Sequence, residues 1–215
     1  MHIIGPPRRP EVDQYTIKFV IGVIAFSLPL LELALTKGIT SISASFWWEP
    51  LKEPWARNVF VGFLFAISAL LLSYNGTTEA EMWLTKIASL AAFLIAMFPC
   101  ACDPSEREII PHVHEVSAAA MFAVLAAFCY IFMRRAQAKG HREARWRVRI
   151  YAFCGLGTLA GLALFVAYFA LARRDPLLLL GETAGLLSFG VSWLTASRVL
   201  PVITRPDERQ RLIVG

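Results

Sequence analysis

The sequence predicts an all-α polytopic membrane protein, one antiparallel bundle of six transmembrane helices with both termini on the cytoplasmic side. Three observations predict it. Apolar residues make up 57% of the 215 and charged residues only 17%, where a soluble domain carries about 25% charged. Six apolar stretches are long enough for a hydrocarbon core that takes about 20 helical residues to cross. No stretch alternates with the period of two of a membrane barrel, which leaves helices to satisfy the backbone in lipid. A soluble enzyme, a disordered chain and a coiled coil are excluded, because each needs far more charge.

The first span is Ile17–Thr36. Arg8 and Arg9 before it suggest a secretory leader, but Glu11, Asp13 and Glu32, with no small-x-small site, argue for a retained helix. The others are Asn58–Tyr74, Trp83–Cys100, Val116–Met133, Ile150–Ala172 and Leu177–Ser197. Everything between them is connection, so the chain reads as a single domain. The connection after the fourth span holds Arg134, Arg135, Lys139, Arg142, Arg145, Arg147 and Arg149. Positive residues stay inside, so this loop and both termini are assigned to the cytoplasm of a bacterial inner membrane. Trp47, Trp48 and Trp55 are then expected at the outer interface, and Trp83, Trp146 and Trp193 at the inner one. The net charge of +5 is accounted for by topology and anionic lipid, the expected partner, and not by nucleic acid.

A charge deep in a bilayer costs about 2.5–3.5 kcal/mol on insertion scales, so each one calls for a reason. Glu32, Arg57, Asp103, His112, His114, Glu115 and Glu182 all project onto the outer half. The inner halves are nearly free of ionisable groups until the basic flanks. Two readings are open. Arg57 pairs with Glu32 or Glu182 to pin helices, or the cluster lines a polar pocket facing the periplasm.

His112-Val113-His114-Glu115 is weighed as a metal set. Residues two apart on a helix point about 200° from each other, so both histidines ligate only from an extended segment near Pro111. His112 and Glu115 share a face, and with Glu32 or Glu182 a two-histidine–carboxylate set would suit zinc or iron. The spacing is no known zinc signature, so no cofactor is assigned firmly. Cys100 and Cys102 read as small interfacial apolar residues, since a bridge between residues two apart strains the preferred geometry. Gly157–Gly161 and Gly181–Gly185 are GxxxG pairs that allow close helix approach, within the bundle or in a homo-oligomer.

Several segments together resemble a family of small bacterial six-helix membrane proteins of unknown function. They are Ser41-Ile-Ser43-Ala44, Arg57-Asn58 opening the second span, Tyr74-Asn-Gly76, Phe98-Pro99, His114-Glu-Val-Ser117-Ala118, and Glu182 followed by Phe189-Gly190-Val-Ser192-Trp193. The Ser-Ile-Ser-Ala segment is also similar, more distantly, to the DRAM and GPI-remodelling type of multi-pass protein, which implies work on or beside lipids. The expected function is a periplasm-facing pocket at the level of the outer leaflet that binds or processes a lipid-like molecule. Arg57, with Glu32 and Ser41, would hold the ligand. His114 and Glu182 would serve as acid and base, and Ser43 would be a nucleophile if His114 reaches it. The alternatives are a small proton-coupled transporter and a non-catalytic subunit of a membrane complex.

Overall fold

The computed structural model describes residues 13–36, 38–47, 54–100, 110–170 and 175–210. Six helices, each long and apolar enough to cross a membrane, make up the described chain. They are α1 (Gln14–Leu35), α2 (Pro54–Ser73), α3 (Glu79–Met97), α4 (Val113–Gln137), α5 (Arg142–Ala170) and α6 (Asp175–Ala196), with short 3₁₀ segments at Ser43–Trp47 and Pro201–Ile203.

Each helix begins two to eight residues before the apolar run that signals it, and at α1 and α3 the added turn is polar and capped. Asp13 caps α1, accepting from the N–H of Tyr15 at 2.6 Å and of Thr16 at 3.0 Å. Thr78 and Glu81 form a capping box at α3. Thr78 Oγ1 accepts from the Glu81 N–H at 3.3 Å and donates to Glu81 Oε1 at 3.1 Å. Gly76, at φ +67°, lies so close that a Cβ there would sit 2.5 Å from Glu81 Cβ. The largest difference is at α5, which starts at Arg142 and not Ile150. Much of the basic loop is therefore helix.

Consecutive helices pack side by side, and α6 closes onto α1, so the six form a ring. Small residues make the close contacts. A Cβ on Gly161 would lie 2.6 Å from the Gly181 carbonyl oxygen, and one on Gly185 would fall within the Phe122 ring. A Cβ on Gly22 would meet the backbone of Leu194, and one on Gly190 that of Phe26. Gly157 faces Ser188 in the same way. The GxxxG glycines thus pack within this chain's own bundle, one of the two uses expected of them.

The outer faces are apolar, with Leu90, Phe153, Leu156 and Val166 all exposed, as a lipid-facing ring requires. Trp55, Trp83 and Trp146 are exposed. Trp193, expected at an interface, is instead fully buried. It sits among Tyr74, Phe128, Phe132 and Phe189, with ring centroids 5.3–5.9 Å from its own. These rings plug the bundle. Two ends result: a serine end, holding Ser41–Ser45, and a terminal end, where α1 starts and α6 finishes.

Candidate functional site

The connection after α1 turns back into the serine end. Ser41, Ile42, Ser43 and Ser45 are all buried there. Buried backbone N–H groups need acceptors, and Glu182 of α6 supplies them. Its Oε2 accepts from the Ile42 N–H at 2.5 Å and the Ser43 N–H at 3.4 Å, and its Oε1 accepts from Ser43 Oγ at 2.5 Å. The Ser41 hydroxyl faces the same carboxylate and accepts from the Ala44 N–H at 3.1 Å. Glu182 shares its helix stripe with Leu178, Phe189 and Trp193, which aims it into the ring.

His114, in the first turn of α4, is buried. Its Nδ1 lies 2.8 Å from the Phe98 carbonyl oxygen at the end of α3. A carbonyl only accepts, so Nδ1 carries the proton and Nε2 of the neutral ring is the acceptor. His114, Glu115, Ser43 and Glu182 line one cleft with Cys100, Tyr168 and Leu178. Deeper in the ring, Ser43 and Glu182 also border a small apolar chamber of about 50 Å³. Leu28, Phe60, Ile67, Met121, Leu125 and Phe189 make much of its wall.

Of the residues singled out in the sequence, Ser41, Ser43 and Glu182 meet directly, and His114 and Glu115 join them at the cleft. Three expectations need correction. Arg57 is exposed and stacks on Phe46, its guanidinium carbon 4.6 Å from the ring centroid. It forms no ion pair with Glu32 or Glu182. The buried stripe of α2 is Ala56, Phe60, Leu64, Ile67 and Leu71, and Arg57 stands about 100° off it. It borders an outer groove with Asn58, Phe65 and Met97.

Ser43 is not set up as a nucleophile for His114. A hydroxyl has one proton to donate, and that proton goes to Glu182. Nor do His112, His114 and Glu115 converge on a metal position. His112 is exposed and ends the preceding turn at φ 65°, outside the helix that carries the other two. Among the described residues no three His, Cys, Asp or Glu side chains gather as ligands. Zinc or iron therefore has no ligand set among them.

Glu32 belongs to a different part of the same end. It is fully buried, Ser45 is the polar side chain facing it, and its carboxyl oxygens have no hydrogen-bond partner among the described residues. Cys100 is in a disulfide, which corrects its reading as merely a small interfacial apolar residue, while Cys129 and Cys154 are free. Cys102 and Asp103 lie outside the described residues. The Cys100 carbonyl also accepts from Trp47 Nε1 at 2.8 Å.

Sequence reasoning missed the terminal end. Lys18, Glu81 and Arg147 are all buried, although the inner half was expected to hold few such groups. The stripe Lys18, Ile21, Ala25, Leu28, Glu32 on α1 keeps helical spacing throughout, and that spacing is the signal for Lys18. Glu81 pairs with Arg135. Glu208 pairs with Lys139 and with Arg147, the latter at 2.9 Å. Burial raises the Glu208 pKa, but the bonds from Lys139 and Arg147 outweigh it and hold the carboxyl at about 2.

Neither a protein-family model, nor a curated protein, nor a solved structure matches this chain.

Proposed function

We propose that the chain is a multi-pass protein of the bacterial inner membrane, with both termini inside, that binds an amphipathic, lipid-like molecule at its periplasmic end. The apolar part of the ligand lies in the chamber, and its polar part meets Ser43, Glu182 and His114. One observation carries this reading: Ser43 and Glu182 border both the polar cleft and the apolar chamber. An apolar pocket with a few convergent polar groups is the usual form of a small-molecule site. The basic loop supports the orientation, as does the Cys100 disulfide, since such bonds persist on the oxidising side.

Binding is favoured over proton-coupled passage by the aromatic plug. Phe128, Trp193 and Tyr74 are each fully buried and pack ring against ring between the chamber and the terminal end. Catalysis is not part of the proposal.

Native mass spectrometry of the detergent-purified protein tests it. An amphipathic molecule is expected to stay bound to the wild type and to be depleted in Ala118→Trp, which fills the chamber. A wild type that retains nothing apolar, or an Ala118→Trp variant that retains as much, would overturn the reading.

A further inference from the structure

The terminal end holds a second recess, about 50 Å³, between the ends of α1, α4, α5 and α6. Five cations border it: Lys18, Arg135, Lys139, Arg147 and Arg198. Its floor is Phe132 and Tyr151. Three of the cations are engaged by Glu81 and Glu208. Arg135 meets Glu81, and Lys139 and Arg147 share Glu208.

Lys18 and Arg198 have no carboxylate partner among the described residues. Lys18 is more than nine-tenths buried. Its Nζ rests on ring faces, 4.9 Å from Tyr15, 5.3 Å from Tyr74 and 5.5 Å from Phe132. Arg198 stacks on the same Tyr15 ring, its guanidinium carbon 5.1 Å from the centroid. Ring faces attract a cation but accept none of its three N–H bonds as an oxygen would. The nearby carboxylate of Asp13 is occupied in capping α1 and lies outside the recess lining.

We infer that this recess binds a phosphate-bearing anion, with Lys18 and Arg198 as its principal donors. The cations outnumber the carboxylates around it, and a guanidinium beside an ammonium suits a tetrahedral oxyanion. An apolar tail has no room beneath it, because the plug of Phe128 and Trp193 closes the floor. The group that enters is therefore a phosphate head, on a lipid or free. The site is independent of the chamber at the serine end.

Two arms separate the sources. In one, the melting temperature of the detergent-purified chain is followed against inorganic phosphate, with chloride balancing ionic strength. In the other, the protein is compared in nanodiscs of phosphatidylglycerol and of phosphatidylcholine. Stabilisation by phosphate alone identifies a free anion, and preferential stabilisation by phosphatidylglycerol identifies a lipid head group. In Lys18→Gln and in Arg198→Gln the effective affinity is expected to fall by at least about tenfold, the equivalent of one charge-assisted hydrogen bond. Arg145→Gln, an exposed cation off the recess, leaves it unchanged. Ala118→Trp does too, which separates this site from the chamber. Where Lys18→Gln does not fold, Arg198→Gln decides. No response to either probe, or a response that the folded variants keep in full, overturns the inference.

Discussion

The two ends of the bundle satisfy their buried ionisable groups by different means: the serine end buries acids, and the terminal end buries Lys18 and Arg147 along with Glu81. At the serine end the buried acidic side chains are Glu32 and Glu182, and the groups that reach Glu182 are backbone N–H and hydroxyl. At the terminal end Lys18 and Arg147 are buried, and their partners are ring faces, a carboxylate and the Ile203 carbonyl, 3.0 Å from Arg147. An inward-turning segment offers N–H groups in a row, so a carboxylate can be satisfied without any cation. A buried cation has no such supply. It draws its partners from several elements, and two cations still face an open recess.

The sharpest test of this contrast is Glu182→Ala. It strands the Ile42 N–H and the Ser43 hydroxyl, and at about 1–3 kcal/mol for each buried donor the expected loss is about 2–6 kcal/mol. Thermal melting reads it, and a loss below 1 kcal/mol would mean that the serine segment holds itself in place. Glu32→Met goes the other way. Removing a buried carboxyl that has no hydrogen-bond partner among the described residues is expected to raise stability by about 1–3 kcal/mol. A loss instead would mean that Glu32 works on a donor supplied from outside the bundle.

The smallest effect is at the terminal end and depends on pH. The folded-state pKa of Glu208 lies near 2, below its usual 4.5, so its contribution is complete above the usual value and lost as pH falls through the folded one. Exchange of the Gln210 N–H, which donates to the Arg198 carbonyl at 3.3 Å, is expected to be protected at pH 5. That protection weakens between about 4.5 and 2, relative to the intrinsic rate. Glu208→Gln removes the dependence.

Hydropathy made the six helices legible, since length and apolarity depend on each segment alone. Depth was legible too: Glu32, Glu182, Ser41, Ser43 and His114 do lie at one end. Rotation was harder to read. Arg57 shares that depth but is turned away on the outside of α2, and only the Ala56–Phe60–Leu64 stripe reveals it. Neighbourhood was not legible at all. Nothing in the order of the helices says that α6 closes on α1, or that Trp193 meets Tyr74 and not lipid. The basic residues misled for a related reason. A count that fixes orientation says nothing of which cations turn inward, and Lys18 and Arg147 do.

The bond between Ile42 and Glu182 spans 140 residues, which has a consequence for how the chain is made. At roughly 5–20 residues per second of synthesis, the serine segment waits about 7–28 s for its acceptor. Until α6 arrives the ring is open between α1 and α5, and the donors of Ile42 and Ser43 have no carboxylate. A nascent chain with five helices is therefore an unsealed intermediate with polar backbone exposed at one end. The step that completes the chamber is the insertion of the last helix.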